Sequence, residues 1–319
     1  MKAFHMMKSG ESAGLIDVAD PQPGPGEVLV RICACGLNFA DLLMQKGTYQ
    51  DMPALPFTLG MEVAGVVEAL GAGVTAPCPG ARVAVFGGHG GLAELGCFPA
   101  DRAVVLPDAM PMTDAAAFQI AYGTSHLALT HRARLRPGET LLVLGAAGGV
   151  GLTAVEIGKR MGARVIACAR GAARLAVARA AGADHLVDSE AGDLAAQVKA
   201  LGGADVVYDP VGGALFSEAL RACRPEARVM IIGFASGDVP QIKANHLLVK
   251  NVDLLGFYWG GYLAFRPEAV KASLAELLRW YAAGDLNPHV SHVLPLERAA
   301  EGLDLLRSRR ATGKVVVTI

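Results

Sequence analysis

The chain has 319 residues, of which 52% are hydrophobic and 18% are charged, and its formal net charge is −1. This length is sufficient for two domains, and the composition excludes a disordered or coiled-coil protein. The near-neutral charge gives no general attraction to nucleic acid or to a membrane surface. The start of the chain lacks the pattern of a secretory signal, and the six cysteines have neither metal-ligand nor disulfide spacing. We therefore expect a cytoplasmic protein with reduced thiols that binds neither nucleic acid nor membrane.

The first 115 residues hold short strand patterns interrupted by Gly and Pro, over 28–35, 61–70, 81–86 and 103–106. A helix is predicted over 39–46, but strands and helices do not alternate in this part of the chain. The pattern is typical of an antiparallel or barrel-like β domain.

A glycine-rich turn between a predicted strand and a predicted helix is the most specific pattern in the chain. Residues 140–145 form a short apolar run typical of a buried parallel strand, and an amphipathic run follows over 152–161. Between them, Ala146-x-Gly148-x-x-Gly151 has the spacing of a dinucleotide fingerprint, with Ala in place of the first glycine. Gly148 would let the backbone approach a pyrophosphate, and Gly151 would let helix and strand pack closely. The predicted cofactor-binding residues of the turn are Ala147, Gly148, Gly149 and Val150.

The end of the second predicted strand, 164–169, indicates which dinucleotide is bound. An NAD site usually places an acid here, where it accepts hydrogen bonds from the ribose 2′-hydroxyl. This chain has Arg170 and then Arg174, and no acid before Asp184. Two guanidinium groups can hold a 2′-phosphate, which a carboxylate would repel. We therefore expect NADPH rather than NADH, the alternative being that both arginines lie on an ordinary solvated helix face.

Four more strand patterns, at 185–188, 204–209, 227–233 and 252–257, alternate with helices and complete a six-stranded, doubly wound parallel sheet. The C-terminal part then predicts a helix over 267–284, a strand over 290–294, a helix over 296–308 and a last strand over 313–318. We expect this tail to pack back onto the β domain, which would make that domain discontinuous in sequence.

Several short motifs along the chain carry a resemblance to a known family. They are Gly36-Leu-Asn-Phe-Ala-Asp41, Gly47-Thr-Tyr49, Gly60-Met-Glu-Val-Ala-Gly65, Ala146-Ala-Gly-Gly-Val-Gly151, Tyr208-Asp-Pro-Val-Gly-Gly213 and Ala311-Thr-Gly-Lys314. With the order of the predicted domains, they resemble the zinc-free quinone oxidoreductase branch of the medium-chain dehydrogenase/reductase superfamily over essentially the whole chain. The resemblance implies an α/β fold in which a Rossmann sheet is inserted into a β-rich, GroES-like catalytic domain. We expect residues 1–121 plus 262–319 to form the catalytic domain and 122–261 the NADPH-binding domain.

The resemblance also bears on metal binding, because other members of the superfamily are zinc alcohol dehydrogenases. At the positions that match their catalytic ligands, this chain has Asn38, Met61 and Ile120. Amide, thioether and alkyl groups cannot together hold Zn²⁺ at useful affinity. We therefore expect no metal in the site.

Without a Lewis acid, oxidation of an unactivated alcohol is disfavoured, because nothing strong stabilises an alkoxide. Quinones and enones already stabilise negative charge, so the expected reaction is hydride transfer from NADPH to a quinone. One alternative is reduction of α,β-unsaturated carbonyls or enoyl-CoA thioesters. Another is a non-catalytic relative that holds NADPH and binds RNA, which the charge balance disfavours.

The candidate catalytic residues are Asn38 and Tyr49, on either side of the predicted helix 39–46, and Asp41, within it. Asn38 and Tyr49 can donate hydrogen bonds to a substrate oxygen, and Tyr49 can relay a proton. Each has a structural alternative, since Asn38 can cap the helix and Tyr49 can anchor a loop. Asp41 can belong to the site or can simply stabilise the first turn of the helix.

The resemblance implies further cofactor contacts. Thr124 would lie near the nicotinamide, where the chain enters the Rossmann sheet, and Lys314 would approach the cofactor from the returning tail. Three aromatic residues would border the nicotinamide, namely Phe234, Phe257 and Trp259. Phe257 and Trp259 can equally belong to a dimer core, because in this family the last Rossmann strand often pairs with its two-fold mate. We therefore expect a homodimer.

Overall fold

The structure is a computed structural model that describes residues 1–11 and 13–319. The strands, in chain order, are β1 (Lys2–Met6), β2 (Gly14–Asp17), β3 (Glu27–Leu37), β4 (Phe57–Thr58), β5 (Glu62–Leu70), β6 (Arg82–Phe86), β7 (Leu95–Pro99), β8 (Ala103–Val105), β9 (Thr140–Leu144), β10 (Arg164–Ala169), β11 (His185–Asp188), β12 (Ala204–Asp209), β13 (Cys223–Ile231), β14 (Asp253–Gly256), β15 (Val290–Pro295) and β16 (Lys314–Thr318). The α-helices are α1 (Phe39–Lys46), α2 (Met112–Ala116), α3 (Gln119–Leu127), α4 (Gly149–Arg160), α5 (Ala172–Ala180), α6 (Leu194–Ala200), α7 (Gly213–Ala222), α8 (Ala244–Lys250), α9 (Trp259–Phe265), α10 (Pro267–Ala282) and α11 (Ala299–Arg307). Within the described ranges, no helix combines the length and the apolar composition that crossing a membrane requires.

The chain divides into two compact units. The first comprises Met1–Ile120 and Pro288–Ile319, and the second comprises Ala121–Asn287. The first unit contains a three-stranded sheet, β2-β1-β4, and a seven-stranded sheet whose main path is β15-β16-β3-β5-β6-β8, with β7 paired to β3. The C-terminal tail was predicted to pack back onto the β domain. This is confirmed for its two strands, because β15 pairs with β16 and β16 pairs antiparallel with β3.

The second unit is a six-stranded, entirely parallel sheet in the order β11-β10-β9-β12-β13-β14. Its inner strands are buried and apolar, as is usual in a parallel sheet, and Leu142, Val207 and Val229 belong to one buried core. The strand order reverses between β9 and β12. Doubly wound sheets bind ligands in the crevice at the carboxyl ends of the strands at this switch point. The predicted fold class is confirmed.

One predicted domain boundary is wrong. Residues 262–287 were expected in the β-rich domain, but they belong to the second unit. The cause is the packing of α10. Ser273 Oγ lies 2.8 Å from Nδ1 of His126, and the ring of Trp280 packs edge-on against His126 and under the Arg160 guanidinium. The helix therefore buries its side chains against the parallel-sheet unit before the chain returns to the first unit.

Candidate functional site

Helix α1 begins directly after β3, and a reciprocal cap holds its first turn. Asn38 is the N-cap residue, and its backbone N–H donates to Asp41 Oδ2 at 2.8 Å. The other carboxylate oxygen, Asp41 Oδ1, accepts from the Gly60 N–H at 3.3 Å. Asp41 therefore has the second of its predicted roles, stabilisation of the first turn of the helix.

A buried ammonium group lies beside this cap. Lys314 is 6% exposed, and its Nζ donates to Leu37 O at 2.9 Å, Asn38 Oδ1 at 2.8 Å and Glu62 Oε1 at 2.7 Å. Glu62 is 1% exposed, and its Oε1 also accepts from Asn38 Nδ2 at 3.0 Å. We call Lys314, Glu62, Asn38 and Asp41 the Lys314 cluster. It joins the starts of β16, β5 and α1.

The Lys314 cluster contains two buried carboxylates and one ammonium. Burial raises the pKa of Asp41 to about 7, because its ionised form loses hydration completely. The backbone donors Asn38 and Gly60 and the Lys314 charge oppose this rise, whereas the Glu62 charge adds to it. The single ammonium balances one carboxylate, so the cluster is electrically neutral when Asp41 is protonated.

The contacts of Asn38 correct its predicted role as a donor to substrate. A side-chain amide carries two N–H protons. The protons of Asn38 are directed to Glu62 Oε1 and to Gly36 O, the latter at 3.1 Å. The partners also fix the orientation of the amide, because a carboxylate only accepts and an ammonium only donates. Asn38 Oδ1 accepts from Lys314 Nζ, so both the oxygen and the N–H₂ group of the half-buried Asn38 have partners inside the first unit.

The contacts of Lys314 also bear on its predicted role. An ammonium has three protons, and the three acceptors around Nζ use all of them. A direct contact with a cofactor would require one of these buried hydrogen bonds to break. The geometry therefore does not support cofactor binding by Lys314 itself and gives it a role inside the first unit.

The positions that match zinc ligands lie around Glu62. Asn38 Nδ2 reaches its Oε1, and the Ile120 N–H donates to its Oε2 at 2.9 Å. Met61 is buried, with 3% of its surface exposed. Among residues 1–11 and 13–319, no group of three or more His, Cys, Asp or Glu side chains is placed to hold a metal ion. The donor set at this place does not fit Zn²⁺.

Tyr49 lies beyond the other end of α1. The helix ends at Gly47, whose positive φ of 70° allows the chain to turn, and Tyr49 follows as a half-buried residue of the next loop. The structure therefore brings Asn38 and Asp41 together and leaves Tyr49 at the opposite end of the helix.

In the second unit, the glycine turn joins β9 to α4. A Cβ on Gly151 would lie 2.2 Å from Gly145 O, so only glycine allows this approach of helix and strand. A Cβ on Gly148 would meet a single atom, Gly145 O, at 3.3 Å. Gly148 is the N-cap of α4, it is exposed, and it provides no side-chain cap. The N–H groups of the first turn, including those of Gly149 and Val150, have no partner within the helix and are free to bind an anion.

The two predicted phosphate-binding arginines lie beyond the carboxyl end of β10. Arg170 is exposed and its Nε lies 3.8 Å from Glu190 Oε1, while Arg174 is a half-buried residue of α5. The register of the parallel sheet places Asp188 opposite Ala169. Asp188 Oδ1 accepts from the N–H groups of Gly171 and Glu190, which lower its pKa. Sequence reasoning along β10 alone missed Asp188, the last residue of β11, and Glu190, which follows that strand.

The residues predicted around the nicotinamide differ in exposure. Thr124 is 7% exposed on α3, and Trp259 is 5% exposed at the start of α9. The indole packs against Gly123, where a Cβ would lie 2.7 Å from Trp259 Nε1. Phe257 is also buried, and its ring centroid lies 5.2 Å from that of Tyr262.

Phe234 lies in the loop that follows β13 and is 37% exposed. A Cβ on Gly212 would lie 3.1 Å from Phe234 Cδ1, so the ring is at the carboxyl end of β12. Asp209, the last residue of β12, shapes this loop by accepting from the N–H groups of Val211 and Gly212 at 2.7 and 2.9 Å. Of the predicted aromatic residues, Phe234 is therefore the most accessible to a ligand at the switch point.

A group of buried hydroxyls in the second unit was not predicted. Ser125, Thr153 and Tyr208 come from α3, α4 and β12, and Ser125 Oγ lies within hydrogen-bonding distance of the hydroxyls of both Thr153 and Tyr208. We call these residues the hydroxyl network. Tyr208 opens a motif quoted above and Ser125 follows Thr124, but their spacing in sequence carries no signal that they meet.

Comparisons with known proteins cover nearly the whole chain. Residues 24–108 match the family described as alcohol dehydrogenase GroES-like domain, and residues 149–280 match the one described as zinc-binding dehydrogenase. The chain is 37% identical to quinone oxidoreductase-like protein 2 homolog of Nematostella vectensis, over 92% of this chain and 82% of that protein. It is 33% identical to the human synaptic vesicle membrane protein VAT-1 homolog, over 94% and 80%.

A solved structure is also similar to this chain over its whole length. The quinone oxidoreductase of Thermus thermophilus, whose crystal structures include its complex with NADPH, is 36% identical to this chain. Each chain is covered completely, and the TM-score is 0.89.

Proposed function

The chain belongs to the zinc-independent quinone oxidoreductase branch of the medium-chain dehydrogenase/reductase superfamily, and from this membership we propose that it reduces a quinone with NADPH. The observation that carries the proposal is the glycine turn at the start of α4, followed at the end of β10 by arginines in place of an acid. NADPH, when bound, supplies the hydride.

The turn fits a pyrophosphate for a structural reason. Gly151 is required by internal packing, and a Cβ on Gly148 would lie 3.3 Å from the backbone oxygen of Gly145, closer than most such contacts. Because the exposed Gly148 has no side chain, the start of the helix has room for a ligand. The free N–H groups and the helix dipole then favour phosphate oxygens. In this proposal Ala147, Gly148, Gly149 and Val150 hold the pyrophosphate.

Arg170 and Arg174 would hold the 2′-phosphate of NADPH. Arg170 is exposed, and its contact with the exposed Glu190 at 3.8 Å is weak, so a phosphate can replace it. Asp188 Oδ1 accepts from two backbone N–H groups and shapes the turn after β10. The accessible guanidinium of Arg170 supports NADPH over NADH.

The Lys314 cluster supports a reaction without zinc. A family description that includes zinc raises the question of a metal, but the residues at the ligand positions do not fit one, as argued above. A substrate that stabilises negative charge by itself, such as a quinone, needs only hydrogen bonds and a proton from the protein. We assign proton donation to the Tyr49 phenol. Thr124 and Phe234 would border the nicotinamide.

We further propose a homodimer formed by pairing of β14. This strand ends the six-stranded sheet, so among residues 1–11 and 13–319 no strand pairs with its outer edge. Leu248 and Val249 on the preceding helix are 77% and 74% exposed. An open edge beside apolar side chains favours pairing with a second copy. Light scattering over a range of concentrations tests this, and a mass that stays at one chain would contradict it.

The function is tested by following NADPH oxidation with a panel of quinones, enones and enoyl-CoA thioesters. We expect quinones to react with the highest kcat/KM, and we expect Tyr49→Phe to lower turnover by about 100-fold, within the range for loss of one general acid. Tyr281→Phe, on α10, is the matched control and should leave turnover unchanged. Activity confined to enoyl-CoA thioesters would favour the alternative substrate class. Retention on an RNA column without NADPH oxidation by any acceptor would favour the non-catalytic alternative.

A further inference from the structure

The hydroxyl network lies beneath the glycine turn and is almost completely buried. Ser125 and Tyr208 have no exposed surface, and Thr153 is 5% exposed. Ser125 Oγ lies 2.9 Å from Tyr208 Oη and 2.7 Å from Thr153 Oγ1. Burial raises the pKa of the Tyr208 phenol, so this group keeps its proton and can donate.

The network ends on backbone carbonyls of α3 and α4. Thr153 Oγ1 lies 3.0 Å from Val150 O and 3.1 Å from Ala121 O, and Ser125 Oγ lies 3.0 Å from Val150 O. One assignment of donors and acceptors follows the two shortest contacts and uses each hydroxyl proton once. Tyr208 donates to Ser125, Ser125 donates to Thr153, and Thr153 donates to a carbonyl. The hydroxyls thus join the central strand β12 to the first turn of α4.

The first turn of α4 needs such support because its N-cap provides none. Gly148 has no side chain, whereas a Ser, Thr, Asp or Asn N-cap would accept from the second or third N–H of the helix. A side chain at this place would also occupy the space into which a phosphate must come. Hydroxyls beneath the turn can hold Val150 from the interior and leave its outer side open to a ligand.

We propose that Ser125, Thr153 and Tyr208 are positioning residues that hold the first turn of α4 in the geometry that binds the cofactor pyrophosphate. The inference rests on the proposed cofactor function. It assigns to the network no contact with the cofactor, only control of the direction of the N–H groups of Gly149 and Val150.

The test compares ligands that do and do not contain a pyrophosphate. NADPH and ADP-ribose both contain it, whereas adenosine 2′-monophosphate does not and would engage the arginines after β10. In Tyr208→Phe, which removes only the hydroxyl, we expect the dissociation constants of NADPH and ADP-ribose to rise about threefold to tenfold, as for loss of one neutral hydrogen bond. The constant for adenosine 2′-monophosphate should not change. Thr153→Val, of similar volume, should give the same pattern.

Ser273→Ala is the matched control. It removes another buried hydroxyl of the same unit, 2.8 Å from Nδ1 of His126 and remote from the turn in sequence. We expect it to lower thermal stability without changing any of the three dissociation constants. This variant separates loss of stability from loss of the pyrophosphate site.

Two results would overturn the inference, namely unchanged NADPH binding in both Tyr208→Phe and Thr153→Val, or an equal loss of affinity for all three ligands. If one variant does not fold, the other decides. Failure of the unchanged protein to bind NADPH or ADP-ribose would instead overturn the proposed cofactor function, and the inference with it.

Discussion

The two units bury polar groups in different ways. The first unit buries charges, since the Lys314 cluster contains an ammonium and two carboxylates that are almost fully removed from water. The second unit contains the neutral hydroxyl network besides one buried carboxylate, Asp209, and the arginines assigned to the cofactor lie at its surface or half-buried. Removal of one partner from a buried charge pair leaves an uncompensated charge, whereas removal of one hydroxyl costs a single modest hydrogen bond. The first unit should therefore respond strongly to substitution and to pH, and the hydroxyl network only weakly.

The largest expected effect is that of Lys314→Met. The substitution keeps most of the side-chain volume but leaves the buried Glu62 carboxyl group without its cation. We expect the free energy of unfolding to fall by about 3–5 kcal/mol, measured by chemical denaturation. The double variant Lys314→Met with Glu62→Gln should recover part of this loss, because the uncompensated charge is then gone.

Lys271→Met is the control for that substitution. Lys271 forms an exposed ion pair with Glu268, and loss of such a pair should cost less than about 1 kcal/mol. Equal losses in the two lysine variants would show that the buried charges do not dominate the stability of the first unit.

The second largest expected effect is on cofactor preference, and it comes from the two arginines of the second unit. Replacing both Arg170 and Arg174 by Ala should raise the KM for NADPH far more than the KM for NADH. Each charge-assisted contact contributes about 1.5–3 kcal/mol, so the preference for NADPH should fall on the order of 100-fold or more. Turnover at saturating cofactor should change little, because contacts at the adenosine end are equal in ground and transition states.

Arg179→Ala, on the same helix, is the matched control and should leave the preference unchanged. Its guanidinium donates to the Asp184 backbone carbonyl within its own unit. Equal kinetic constants for NADH and NADPH in the unmodified protein would already contradict the assignment of the two arginines.

The third effect is a pH dependence of stability that arises in the first unit. The pKa of Asp41 is raised from 3.8 to about 7 by burial, so the folded chain holds this proton more tightly than the unfolded chain. The resulting stabilisation is complete below the unfolded pKa and is lost as pH rises through the folded pKa. Between pH 5 and pH 7 the stability of the native protein relative to Asp41→Asn should fall by about 2 kcal/mol. Denaturation of both proteins across this range measures it, and a constant difference would refute the shift.

Sequence patterns predicted the strands of the second unit far better than they predicted the Lys314 cluster and the hydroxyl network. Each parallel strand is a short apolar run between turn residues, so β9, β10 and β12 were placed within a residue of their ends. Strands β1, β2, β4 and β7 were missed, since they are short and lack a continuous apolar run. The predicted place of 262–287 was wrong because nothing local in the sequence reveals that α10 packs against His126.

The sequence predicted which residues come together in the candidate site better than it predicted what each of them does. Asn38, Asp41 and Lys314 do meet, although Lys314 is 276 positions away from Asn38. The predicted donor role of Asn38 failed because Glu62 and Gly36 use both amide protons, and such long-range pairing leaves no periodic signal. Tyr49 stays a prediction as the proton donor.

The most direct test of the account is a single-turnover reaction in protein treated with a chelator and shown by elemental analysis to hold no zinc. The protein is loaded with NADPH and mixed rapidly with a quinone while NADPH absorbance is followed. The account predicts oxidation of one NADPH per quinone at a rate that added zinc does not change, because Lys314 and Glu62 lie among residues that cannot hold the metal. No oxidation until zinc is restored would contradict it.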